Sequence, residues 1–243
     1  MARERVNLRR AAAGPIEAWE DKVVASIPFT EFQSAPGERY SYSNIGFGIL
    51  GLTISRAAGR SFIDLVEEMI FRPLGMKSST FIITPELQDR LSTGYQVGRD
   101  GTVESEAPLR EHAGRGYKVP NGGIYSTVGD LARFISAQTG TARNMILTEK
   151  SRSEMQRFQV VSRVSDEGDS SGYGLGFSLQ ATAEGLHLVS HGGSVAGYNA
   201  HMIFDPVTRI GVVMLRNYDR SAVNLGRTAR DLLEELIGIY TGS

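Results

Sequence analysis

Residues 190–217 read SHGGSVAGYNAHMIFDPVTRIGVVMLRN. Apolar residues alternate or run briefly on either side of Asp205-Pro206-Val207-Thr208, a four-residue turn signal. The stretch predicts two strands, YNAHMIFD (198–205) and RIGVVMLRN (209–217), joined as a hairpin. Upstream, YGLGFSLQA (173–181) and LHLVSH (186–191) are equally short, apolar or alternating, and bounded by Gly or polar residues. Four strands this close in sequence predict an antiparallel meander. Residues 221–239, SAVNLGRTARDLLEELIGI, predict an amphipathic helix lying on that sheet.

Toward the N-terminus the signals are helical. PIEAWEDKVVA (15–25) suits a short amphipathic helix opened by Pro15. NIGFGILGLTISRAA (44–58) is apolar on most faces and stops at Gly59, so it predicts a helix buried nearly all round with a glycine cap. Its glycines at 46, 48 and 51 cost helix propensity and call for another backbone packed closely against them. Ser61, Thr127 and Thr148 read as N-caps, and Thr84-Pro85 as a cap followed by proline. Residues 92–120 predict loop or short strand, and 162–172 a polar, mobile loop. There is no repeat and no low-complexity linker. The outline is α+β: one domain over 1–243, with a helical lobe about 41–160 and a sheet lobe about 173–240.

Composition narrows the function. Lys and Arg number 26 against 27 Asp and Glu, which gives no electrostatic case for nucleic acid or an acidic membrane surface. With no cysteine, disulfides, thiolate metal sites and a Cys nucleophile are excluded. No stretch approaches the roughly 18–20 apolar residues of a membrane span. The basic start, MARERVNLRRAAAGP, lacks the apolar core of a signal peptide, so the chain as written is expected in the cytoplasm. The histidines at 112, 187, 191 and 201 show no ligand spacing. On a strand His187 and His191 lie about 13 Å apart, too far for one ion. No phosphate-binding loop or dinucleotide fingerprint occurs, so neither metal nor cofactor is expected.

Three polar groups stand out. Tyr42-x-Asn44 pairs a phenol that can move a proton with an amide that can bind a carbonyl; it also reads as a core aromatic beside a Ser43 or Asn44 cap. His191-Gly192-Gly193-Ser194 ends a strand with backbone N–H groups able to hold an oxyanion; it also reads as a bulge or turn. Pro120-Asn121-Gly122-Gly123 reads as a tight loop before the Thr127 cap.

Taken in order, PGERYSYSNIGFGILG (36–51), GRSFIDL (59–65), FRPLGMKSSTF (71–81), PNGGIYSTVGDLARF (120–134), YGLGF (173–177) and the opening stretch resemble the serine β-lactamase-related family: class C β-lactamases, related penicillin-binding proteins and D-aminopeptidases, and family VIII esterases. The resemblance spans roughly residues 34–240 and implies a β-lactamase/transpeptidase-like fold. It implies that Tyr42 is a candidate general base and Asn44 a substrate-binding amide. It also implies that His191, Gly192 and Gly193 line the cleft, and that the Ser194 N–H is one oxyanion donor. The substrate implied is a small acyl compound or peptide: a β-lactam, an ester or a D-peptide amide.

The family's Ser-x-x-Lys is absent. Lysine occurs only at 22, 77, 118 and 150, and the residues three before are Trp19, Leu74, Arg115 and Leu147. In the family that motif and the first strands lie upstream of Tyr-x-Asn, so the chain is expected to be N-terminally incomplete and inactive or very weak. Tyr42 would also lack the lysine that holds a phenol's pKa down. Two alternatives stay open: a non-catalytic ligand- or peptide-binding module, or a hydrolase using Ser43 or Ser194 instead. The strand at 209–217 would be a bare edge, expected to be covered by a second copy, the N-terminal segment or a separate N-terminal fragment. Full-length relatives of this type are often periplasmic or secreted.

Overall fold

A computed structural model describes residues 11–242. The sheet is a six-stranded antiparallel meander in chain order: β1 (Val160–Val164), β2 (Ser170–Tyr173), β3 (Ser178–Ala181), β4 (His187–Val195), β5 (Tyr198–Phe204) and β6 (Gly211–Arg216). Four of these were legible. The other two, β1 and β2, replace the mobile loop expected at 162–172. They pair Val160 with Tyr173 and Val164 with Ser170, across a register shift between Val161 and Arg163. β2 is polar, and β1, VVSRV, carries its valines largely exposed and out of alternation, so neither shows a one-sided hydrophobic pattern to read.

The turn after β5 is built as read. Buried Asp205 accepts hydrogen bonds from the N–H groups of Val207 (3.2 Å) and Thr208 (2.8 Å) and from the Thr208 hydroxyl (2.7 Å). Alternation divides the strands between two cores. Leu188, Ile203 and Val212 pack against Ala229, Leu233 and Ile237 of the C-terminal helix. Val189 and Phe204, from the opposite face, pack with Ile135 and Phe177. His191, two residues from Val189, therefore belongs to the face turned toward the remaining helices.

Those helices are α1 (Trp19–Ser26), α2 (Asn44–Ala58), α3 (Phe62–Val66), α4 (Ala107–Ala113), α5 (Val119–Gly122), α6 (Val128–Thr139) and α7 (Glu149–Met155); the C-terminal helix is α8 (Leu225–Thr241). Helix α2 has the expected bounds. The Ser43 hydroxyl accepts from the Gly46 N–H at 3.0 Å, and Gly59 closes the helix in the left-handed region at φ 63°. The close neighbour its glycines called for is there at two of the three. A Cβ at Gly51 would run into Pro120, and one at Gly48 would come within 3.3 Å of the Tyr117 carbonyl.

The expectation of all-round burial fails for α2. Phe47, Leu50 and Ile54 are 37%, 51% and 41% exposed, because α1 and residues 117–122 cover one face and no described residue buries the other. The segment 92–120 also holds more structure than expected. It contains a short hairpin, Gln96–Val97 with Val103–Glu104, and α4, whose seven residues with Pro108 near the start give too short a period to read. The Pro120–Gly123 loop is the helical turn α5. Helix α8 begins at Leu225 under an Asn224 cap rather than at 221, and runs on to Thr241. The helix after Ser61 passes through a π-helical turn, Glu67–Phe71. Among the described residues, β6 pairs with β5 alone, so its outer edge is open. No helix among them is long and apolar enough to cross a membrane.

Candidate active site

Sheet and helices enclose a cleft of about 1400 Å³. Tyr42, Asn44 and all of His191–Ser194 line it, so the two motifs singled out 147 residues apart in sequence face one cleft, with the Tyr42 and His191 rings 6.4 Å apart. The Ser43 cap fixes the first corner: it starts α2 and leaves Asn44 in the first turn and Tyr42 just before it, both exposed to the cleft. Asn44 is thereby free of the capping role the sequence left open.

The second corner differs from the turn or bulge the glycines suggested. His191–Ser194 lies inside β4, and the chain reverses only at Ala196 and Gly197, with φ 41° and 90°. Two residues at positive φ make the tight hairpin whose flanking pair, Val195 and Tyr198, is hydrogen-bonded. Bonding alternates along an antiparallel ladder, so the Ser194 N–H, one residue back, points away from β5. On that side β3 stops at the Ser178–Ser190 pair. The Ser194 N–H, and the Gly192 N–H by the same alternation, thus face past the end of β3. A Cβ at Gly192 would sit 2.9 Å from His201 Nδ1, so a side chain there would press on the His201 ring.

The structure adds a residue that motif reading missed. The Tyr173 hydroxyl, from the end of β2, hydrogen-bonds His191 Nε2 at 3.0 Å. Tyr42 stands edge-on to Tyr173 with ring centres 6.3 Å apart, and Tyr40 lies 5.4 Å from Tyr173. Burial, with smaller contributions from Tyr42 and Tyr40, pushes the Tyr173 phenol up to about 12, so it stays neutral. The only sequence sign of Tyr173 was its place at the head of the YGLGF segment; its contact depends on the registers of three strands.

On the helical wall, Asp130 of α6 is buried and accepts from the Ser78 N–H at 2.7 Å and the Ser79 hydroxyl at 2.9 Å. Ser78 and Ser79 line the cleft. Deeper, buried Arg115 donates to the Gly123 carbonyl and, at 3.0 Å, to the Tyr125 hydroxyl. Among the described residues, no cluster of His, Asp or Glu has the placement of a metal site. His187 instead meets the Gln156 carbonyl at 2.8 Å.

Burial holds His191, His201 and His112 below the ordinary imidazole value, with His191 adding to the effect at His201 and Arg115 at His112. Their folded values lie below the unfolded 6.5, so on acidification the unfolded chain binds protons first. Stability is then complete above about pH 6.5 and falls as pH drops toward the folded values. Thermal melts should show a lower Tm at pH 5.5 than at pH 7.5, with the difference reduced in a His191→Gln, His201→Gln double variant. An unchanged or higher Tm at pH 5.5 would contradict this electrostatic picture.

An antiparallel sheet with a helix on one face and a helical layer over a cleft on the other is the β-lactamase/transpeptidase-like architecture. A penicillin-binding protein homologue from Pyrococcus abyssi, an octamer, superposes with TM-score 0.75 at 26% identity over 92% of this chain and 48% of its own. A class C β-lactamase from Rhodobacter sphaeroides gives 0.66 at 19% identity over 96% and 72%, which speaks to the fold alone. Residues 6–236 match the Beta-lactamase family, and the chain belongs to it. The D-alanyl-D-alanine-carboxypeptidase/endopeptidase AmpH of Escherichia coli K12 is 27% identical over 94% of this chain. A D-aminopeptidase of Brucella anthropi is 29% identical over 85%. The chain spans 59% and 36% of the lengths of these two relatives.

Proposed function

We propose that the cleft is the ligand-binding side of an acyl-transfer site, and that these 243 residues bind acyl ligands with little or no turnover. In this reading Asn44 holds the ligand's carbonyl or amide, the Ser194 N–H faces its acyl oxygen, and Tyr42 is the candidate proton carrier. His191, fixed by Tyr173, lines the wall beside Gly192 and Gly193. The observation that carries the reading is the convergence of Tyr42, Asn44 and Ser194 on one cleft, with the Ser194 N–H left outside the strand ladder. The relatives' names point to D-peptides as a ligand class, and the family's name to β-lactams.

The absence of Ser-x-x-Lys favours binding over catalysis. Thermal stabilisation tests it. A β-lactam, a D-peptide or a carboxylic ester at saturating concentration should raise Tm, and an Asn44→Ala, His191→Ala double variant should lose most of that shift. If none of the three classes raises Tm, or the double variant responds like the parent, the reading fails.

A further inference from the structure

Tyr173 ends β2, paired with Val160 of β1 on one side and Ser178 of β3 on the other. Ser178 pairs in turn with Ser190 of β4, and β3 goes no further. His191 is the next residue of β4. Its ring reaches past the end of β3 and meets the Tyr173 hydroxyl through Nε2 at 3.0 Å. Both partners are held in place. The Tyr173 ring packs against Tyr40, with centres 5.4 Å apart, and edge-on against Tyr42 at 6.3 Å. His191 lies opposite Met202 within the β4–β5 ladder.

One hydrogen lies between the two groups, and a phenol or an imidazole can supply it. The phenol is the stronger acid of the two neutral groups, and a bare imidazole nitrogen is the better acceptor. The hydrogen therefore stays on the Tyr173 oxygen and points at Nε2. Burial keeps both partners neutral: it pushes Tyr173 up to about 12 and holds His191 below the ordinary imidazole value. The titratable neighbours act the same way. Tyr42 and Tyr40 help raise Tyr173, and charge on His191 and His201 is mutually disfavoured. The Gly192 backbone favours a charged His191 ring, but burial outweighs it. With Nε2 accepting, the one hydrogen of the neutral ring sits on Nδ1.

We propose that Tyr173 is a positioning residue for the cleft: by donating its hydroxyl hydrogen to Nε2 it holds His191 in the neutral Nδ1–H form. The imidazole then has no bare nitrogen left. It meets a ligand as a donor, to an acyl or carboxylate oxygen, and not as a base. The inference rests on the reading of the cleft as a ligand site and deepens it by naming the ligand atom that His191 takes. In the rival arrangement Nε2–H donates to the phenol oxygen, Nδ1 is bare, and His191 accepts from ligand N–H groups.

Nitrogen NMR of the ¹⁵N-histidine-labelled chain at pH 7.5 separates the two forms with no ligand present. The His191 signals are assigned by their loss in His191→Ala. Nε2 should fall in the unprotonated range and Nδ1 in the protonated range. Tyr173→Phe keeps the ring and removes the hydroxyl, and should divide the hydrogen between the two nitrogens; Trp19 fluorescence checks that the variants fold. Ampicillin, D-alanyl-D-alanine and ethyl butyrate are then titrated against Tm. Tyr173→Phe should weaken whichever of them stabilises the parent by about fivefold. In the His191→Ala background the same substitution should change that affinity by less than about twofold, because Tyr173 acts through His191.

An Nε2–H spectrum in the parent, an Nδ1–H spectrum unchanged in Tyr173→Phe, or equal losses with and without His191 overturns the proposal. An Nε2–H spectrum beside intact stabilisation by a probe sinks this inference alone. Failure of all three probes to raise the parent's Tm sinks the reading of the cleft, and the ligand role of His191 with it.

Discussion

Mixed with p-nitrophenyl butyrate, the 243-residue chain should release no burst of p-nitrophenol, and it should turn nitrocefin over far below ordinary enzyme rates. Acyl transfer by the serine route needs a hydroxyl whose proton is removed as it attacks. None of the four lysines has a serine three residues before it. The serines nearest the cleft motifs offer no substitute. The Ser43 hydroxyl accepts from the Gly46 N–H as the α2 cap, and Ser194 lies on β4 across from Asn199. His191, the imidazole of the corner, already meets the Tyr173 hydroxyl through Nε2.

In coupled sites, losing the nucleophile removes nearly all covalent catalysis. The residue left in the best-studied serine hydrolase, about 10³–10⁴-fold over water, comes from binding and the oxyanion hole. With the nucleophile's own N–H also lacking, this chain should fall below that. Stopped-flow absorbance at enzyme concentrations near that of substrate is the check. A burst stoichiometric with protein would contradict the expectation.

Asp130→Ala should cost about 2–4 kcal/mol of stability, the largest effect expected of any single polar substitution discussed. Asp130 is 3% exposed. It holds three donors: the Ser78 N–H at 2.7 Å, the Ser79 hydroxyl at 2.9 Å and the Arg133 guanidinium at 3.1 Å. Ser79 in turn meets the Ser126 hydroxyl at 2.8 Å. The carboxylate thus ties the loop at 78–79 to the start of α6, where a negative charge also suits the helix terminus. Alanine leaves the Ser78 N–H and Ser79 hydroxyl without their acceptor, at about 1–3 kcal/mol each. Asn keeps an acceptor and should cost less. Urea unfolding followed by Trp19, the sole and buried tryptophan, gives the value. A loss under about 1 kcal/mol would show that the network does not hold the loop. Ser78 and Ser79 line the cleft, so the variant should also blunt acyl-ligand stabilisation.

What was legible depended on whether the signal was local. Ser43 and Gly59 bracket α2 because capping and left-handed closure are chemistry of single residues, and the Asp205 turn follows from one side chain. Helix α4 and strands β1 and β2 were not legible. One is too short to show a period, and the others are short, largely unburied strands held by their partners. The exposed face of α2 was misread because an all-apolar pattern reports a helix's need for cover, not the presence of it. At the site, Tyr42, Asn44 and His191–Ser194 were found because each sits in a recognisable run. Tyr173 was not, because its contact arises from three successive strand registers. Asp130 shows in the sequence only as the acid three residues after the Thr127 cap, yet its carboxylate reaches back 51 residues to Ser79.

The central claim is that these residues carry an acyl-ligand cleft without an acylating serine. Intact-protein mass spectrometry after incubation with a fluorophosphonate tests it most directly. The account predicts no mass added to the 26.5 kDa chain. A stoichiometric adduct, mapped by peptide digestion to Ser43, Ser194 or any other serine, would contradict it.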